Sequence, residues 1–137
     1  MDGSQGHLDG QSLTAARSVE LDPVDYRLFI GDEYNHRVVV YQLDELNRID
    51  EYSARWILGQ PDPETSLIGP PNARNMTVPL AVVYDKVSKR LFVGDGYHNR
   101  VLVYDASSDK LHNGVAASWV IGQKTSKVQS ELQAKPV

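Results

Sequence analysis

Hydrophobic residues in this chain come in short unbroken runs, with neither a helical period nor strict alternation. Leu28-Phe29-Ile30, Val38-Val39-Val40-Tyr41, Leu91-Phe92-Val93, Val101-Leu102-Val103-Tyr104 and Trp119-Val120-Ile121 are apolar at consecutive positions. Successive side chains of a strand point to opposite faces, so strands of this kind demand apolar cover on both faces. The runs are short, rich in β-branched and aromatic residues, and punctuated by Gly, Asp and Asn, which predicts strands rather than helices.

The runs also repeat. Leu28-Phe29-Ile30-Gly31-Asp32-Glu33-Tyr34-Asn35-His36-Arg37-Val38 is matched by Leu91-Phe92-Val93-Gly94-Asp95-Gly96-Tyr97-His98-Asn99-Arg100-Val101, an offset of 91 − 28 = 63 positions. The same offset carries Trp56-Ile57-Leu58-Gly59-Gln60 onto Trp119-Val120-Ile121-Gly122-Gln123 without a gap, so both Phe and both Trp residues of the chain fall into one register. Four strands are predicted per unit, at 17–21, 27–31, 37–43 and 55–58, then at 80–84, 90–94, 100–104 and 118–121. Five of the seven prolines lie between the last strand of the first unit and the first strand of the second, which makes 60–75 an extended loop. The polar stretch 44–53 has room for a single helical turn. The organisation read from this is a polar preface at 1–11, one unit at 12–74, a second at 75–123 and a connecting segment at 124–137.

Strands buried on both faces occur in parallel sheets flanked by crossover helices, but no amphipathic segment here is long enough to supply them. The remaining solution is an all-β radial stack of small sheets, a β-propeller, with two blades of four antiparallel strands in this chain. Two blades do not close a ring, and each leaves an apolar face open. The chain is therefore expected to form a homo-oligomer, with three copies giving six blades, or to receive its missing blades from a longer or a different chain.

The strings Gly31-Asp32-Glu33-Tyr34-Asn35-His36-Arg37-Val38 and Gly94-Asp95-Gly96-Tyr97-His98-Asn99-Arg100-Val101 resemble the signature of NHL repeats. In that family the second strand commonly ends in Asp and an Asn-His-Arg-Val string opens the third; in the second unit Asn and His are exchanged. The resemblance implies blades of a mostly six-bladed propeller, a fold that carries many activities. The Asp95-Gly96-Tyr97 string also resembles one in the peptidyl-α-hydroxyglycine amidating lyases, NHL-like propellers that hold a metal in the central channel with His ligands. RNA binding is known among NHL propellers as well.

Composition narrows these options. The 137 residues carry 14 Lys and Arg against 18 Asp and Glu, a net charge of −4, which argues against nucleic acid as the main partner. With no Cys, disulfides, thiol catalysis and Cys-based zinc sites are excluded. No signal peptide is visible, and no apolar run approaches the ~20 residues of a membrane helix. His7, His36, His98 and His112 are the four histidines; His36 and His98 occupy adjacent positions of the two units and are the pair placed to approach one another. Asp32 with Arg37, and Asp95 with Arg100, bracket the hairpins, where a bidentate ion pair would serve each unit structurally. Trp56 and Trp119 read as packing anchors. Tyr34, Asn35, His36, Tyr97, His98 and Asn99 stand in the hairpin turns, where binding residues tend to gather. The expectation is a non-enzymatic module that presents these loops to a protein, peptide or small polar ligand, with no catalytic residue and no cofactor. The alternatives are part of a lyase- or hydrolase-like propeller with a divalent metal, and RNA binding.

Overall fold

Eight strands form two four-stranded antiparallel sheets in the computed structural model, which describes residues 8–49 and 51–123. His7 and the expected connecting segment 124–137 lie outside the described residues. The first sheet is β1 (Ala16–Asp22), β2 (Arg27–Asp32), β3 (Arg37–Gln42) and β4 (Trp56–Leu58), paired in that order. The second is β5 (Pro79–Asp85), β6 (Arg90–Asp95), β7 (Arg100–Asp105) and β8 (Trp119–Ile121). Each bound of the second sheet lies 63 positions after its counterpart in the first. A register shift recurs too, between Ala16 and Ser18 and between Pro79 and Ala81. The fold is all-β and internally repeated. Among the described residues, no helix is long and apolar enough to cross a membrane.

Local chemistry explains the turns. Asp22 Oδ1 accepts the Val24 and Asp25 N–H groups, and Asp85 Oδ1 accepts that of Val87, the Asx arrangement that starts a turn. Tyr26 and Lys89 close these turns at φ 54° and 55°. The β2–β3 hairpin contains one 3-10 turn, Glu33–Asn35, and ends at His36 with φ 56°; Asn99 stands in the same place at φ 52°. Two expectations need correction. The third strand stops at Gln42, and Leu43 makes an isolated bridge to Ile49 instead. The loop after it holds no helical turn among its described residues, because Asp44 Oδ1 gathers the Leu46 and Arg48 N–H groups into a tight polar turn.

The sheets pack face to face. Phe29, Val38, Val40 and Leu58 of the first sheet meet Val82, Tyr84, Leu91, Val93, Leu102, Tyr104 and Val120 of the second, with Ala73 and Met76 of the intervening loop between them. Close approach is set at Gly31, where a Cβ would lie 2.9 Å from the Pro79 carbonyl oxygen, a backbone atom that cannot swing aside. Arg27 spans the junction. Its guanidinium pairs with Asp22 at 2.7 Å, donates to the Ala106 carbonyl at 2.7 Å and to the Tyr84 hydroxyl at 3.1 Å, and lies over the Phe29 and Tyr84 rings. On the far side of the first sheet, Ile30, Val39, Tyr41 and Ile57 form a smaller core.

Tyr41 and Tyr104 are equivalent residues with different fates. The Tyr41 hydroxyl donates to the Gly10 carbonyl at 3.4 Å, whereas the buried Tyr104 hydroxyl has no hydrogen-bond partner among the described residues. Burial pushes the Tyr104 phenol well above its ordinary pKa. An unpaired buried hydroxyl costs stability that its removal restores. Tyr104→Phe is expected to stabilise the protein by about 1 kcal/mol and Tyr41→Phe to destabilise it slightly, both read by chemical denaturation. A marked loss of stability in Tyr104→Phe would contradict the assignment.

Candidate functional site

Each β2–β3-type hairpin is built around a buried ion pair. Arg37 Nε donates to Asp32 Oδ2 at 2.9 Å, and Arg100 Nε to Asp95 Oδ2 at 3.0 Å, with all four side chains withdrawn from solvent. The pairs are not the bidentate forks expected from the spacing. The second carboxylate oxygen is already engaged: Asp32 Oδ1 accepts the N–H groups of Thr14 and Ala15, and Asp95 Oδ1 those of Thr77 and Val78. The free guanidinium nitrogens reach the same incoming segments, Arg37 to the carbonyls of Asp9 and Ser12 and Arg100 to those of Asn72 and Asn75. Each pair thus clamps the segment that leads into the first strand of its own sheet.

The exchange of Asn and His between the units has a chemical reason. Position 35/98 needs a donor to the carboxylate, and position 36/99 needs a residue that tolerates positive φ. Asn35 Nδ2 donates to Asp32 Oδ2 at 2.8 Å and to Thr14 Oγ1 at 2.9 Å; His98 Nδ1 donates to Asp95 Oδ2 at 2.8 Å, with Nε2 3.2 Å from Thr77 Oγ1. Asn and His both serve as donors, and both are enriched among non-glycine residues at positive φ. His36 and His98 do come together, around Thr77: His36 Nδ1 donates to the Thr77 carbonyl and His98 meets the Thr77 hydroxyl. No group of three or more metal-binding side chains occurs among the described residues. His112 Nδ1 donates to the neighbouring Asn113 carbonyl at 3.0 Å.

Engagement of the polar hairpin residues leaves the tyrosines. Tyr34 is 66% and Tyr97 71% exposed, at equivalent hairpin tips, and the Tyr97 ring lies edge-on to His98 with 6.0 Å between centroids. Asn99 is also exposed. The Pro-rich loop adjoins the first hairpin through Gln60, whose Nε2 donates to the His36 and Leu67 carbonyls while its Oε1 accepts the Leu67 N–H. This loop borders an open cleft of about 290 Å³ lined by Gly59, Gln60, Pro61, Leu67, Ile68, Asn72, Arg74 and Asn75, with Leu67 and Ile68 largely exposed at its rim. No protein-family model matches this sequence, and the curated proteins contain no match to it.

Three features of the site went unread in the sequence: the Thr77 hub, the Gln60 tether and the Arg27–Asp22 pair. All three carried a signal, because Thr14/Thr77, Gln60/Gln123 and Arg27/Arg90 are 63-residue equivalents. Gln123 Nε2 does donate to the His98 carbonyl, as Gln60 does to that of His36. Trp56 and Trp119 are half-buried beneath arginines, Arg55 over Trp56 at 5.3 Å and Arg90 over Trp119 at 4.4 Å, so neither indole is a free platform.

Burial by itself would raise the Asp95 carboxyl pKa, but the Thr77 and Val78 N–H groups and His98 outweigh it and hold the group below its ordinary value of 3.8. The folded state then binds this proton more weakly than the unfolded chain. The stability from Asp95 is therefore present above pH 3.8 and is lost as the pH falls through the lower folded value. Thermal melts are expected to lose stability below about pH 4. Asp95→Asn should cost about 3 kcal/mol at neutral pH, by leaving Arg100 buried without its partner, and should flatten the acid limb. An unchanged acid limb in that variant would refute the role.

Proposed function

We propose that this chain is a non-enzymatic binding module of NHL-type propeller blades, offering its hairpin-side loops to a protein or peptide. The observation that carries the reading is the division of labour in the hairpins. Asp32, Asn35 and Arg37, and likewise Asp95, His98 and Arg100, are engaged in holding the chain together, while Tyr34 and Tyr97 extend into solvent from equivalent tips. Tyrosine contributes a large rigid contact area with a polar end and is enriched at protein interfaces. The neighbouring cleft, with Leu67 and Ile68 at its rim and Arg74 beside them, adds apolar surface and one cation to the same region. Two four-stranded sheets packed face to face and related by a 63-residue repeat support the propeller reading.

Selection from a displayed peptide library against the full chain tests the proposal. Peptides are expected to bind the native protein and to lose at least about tenfold in affinity against Tyr34→Ala/Tyr97→Ala, which corresponds to a modest hot spot. They should bind Glu51→Ala and Arg55→Ala normally, since these line a separate cleft of about 220 Å³ with Gln42 and Leu43 at the other end of β3. Binding lost in the latter variants and kept in the former would overturn the assignment of the face. An equimolar divalent metal retained through dialysis would favour the enzymatic alternative, and salt-dependent retention of RNA would favour nucleic acid.

A further inference from the structure

We propose that the far face of the second sheet docks head to tail on the far face of the first sheet in a second copy of this chain, repeating between chains the packing that joins the two sheets within one. The argument rests on residues that are equivalent in sequence but unequal in burial. Val82 and Tyr84 of β5 are 4% and 7% exposed against the first sheet, whereas their counterparts Val19 and Leu21 of β1 are 57% and 40% exposed. On the opposite faces, Leu58 of β4 is fully buried while its counterpart Ile121 of β8 is 55% exposed. The chain therefore presents both halves of an interface whose assembled form it already contains, one half at each end.

Two further observations choose a second copy as the occupant. Gly31 must be glycine because Pro79 of the neighbouring sheet approaches it. Its counterpart Gly94 has nothing nearer than 3.9 Å to a Cβ among the described residues, so these neighbours do not require glycine there. A second copy would supply the missing approach through Ala16, the counterpart of Pro79. The inner strands also differ in the way such docking needs. Within the chain, Ser18 Oγ and Glu20 Oε1 of β1 accept the Val82 and Tyr84 N–H groups of β5. At the open end, positions 81 and 83 are Ala and Val, with Val83 57% exposed, and they would face Val19 and Leu21. Along the inner strands, the open end thus offers apolar side chains at the two positions where the internal junction uses polar acceptors. The faces are complementary to each other and not to themselves, so the contact is heterologous, and a closed ring rather than an open filament requires the sheet-to-sheet rotation to divide a full turn.

Light scattering on the full chain and on charge variants tests this. The native chain is expected to form a closed assembly of whole copies, three of 15.3 kDa giving 45.9 kDa for a ring of six sheets. Val19→Asp and Val83→Asp disable opposite faces at exposed positions, and each should weaken association about 100-fold or more, leaving folded monomers by circular dichroism. Mixing the two variants leaves one competent face on each and should yield a pair that stops at 30.6 kDa, twice the chain mass. A native chain that stays at 15.3 kDa would overturn the proposal and assign the cover to another segment or partner. So would a mixture of variants that fails to pair.

Discussion

A carboxylate and a guanidinium buried together at the hairpin of each unit hold this architecture in place. Asp32 with Arg37 and Asp95 with Arg100 have no access to solvent, and burying such charges is unfavourable unless every remaining valence is satisfied. Here the valences are filled by backbone: two N–H groups on each carboxylate, two or more carbonyls on each guanidinium. Apart from the Pro63 carbonyl, in the loop after β4, those backbone groups belong to the segments that lead into β1 and β5. The pair therefore fixes hairpin, incoming segment and first strand relative to one another, and orients the exposed tip that carries Tyr34 or Tyr97.

The two units use the same device in unequal surroundings. Asp22 with Arg27 is sealed between the sheets, where the guanidinium reaches Tyr84 and Ala106, while Asp85 and Arg90 remain exposed. Exposure changes the physics of the pair. In the first unit it is a buried junction between sheets; in the second, Arg90 turns to cover Trp119. The same inequality runs through Leu58 and Ile121, and through Val82 and Val19. Internal symmetry of sequence thus coexists with an asymmetric pattern of burial.

Much of the secondary structure is legible in the sequence. The runs around Leu28, Val38, Leu91 and Val101 are β-rich on both faces, and the Asp and Asn residues between them make local turns, so strand identity followed from neighbours in sequence. The apolar pattern extends the third strand one residue too far, because Leu43 is apolar but turns away to bridge Ile49. The hairpin residues were legible as a cluster and not as roles. Asn35 and His98 read as candidate binding residues of the turns, yet the carboxylates beside them need a donor, and the Thr14 and Thr77 segments that complete the network arrive from many residues upstream.

Sequence alone determined the strands, their order in each unit, the antiparallel pairing and the 63-residue relation, since each depends on side-chain pattern and turn chemistry within a few residues. Only the tertiary structure decided which of two equivalent residues is covered. Burial is a property of two surfaces in contact, and Val19 and Val82 have the same local pattern but different neighbours across the sheet. The same holds for the exposed tyrosines, left in solvent because the polar groups around them were drawn inward by distant backbone.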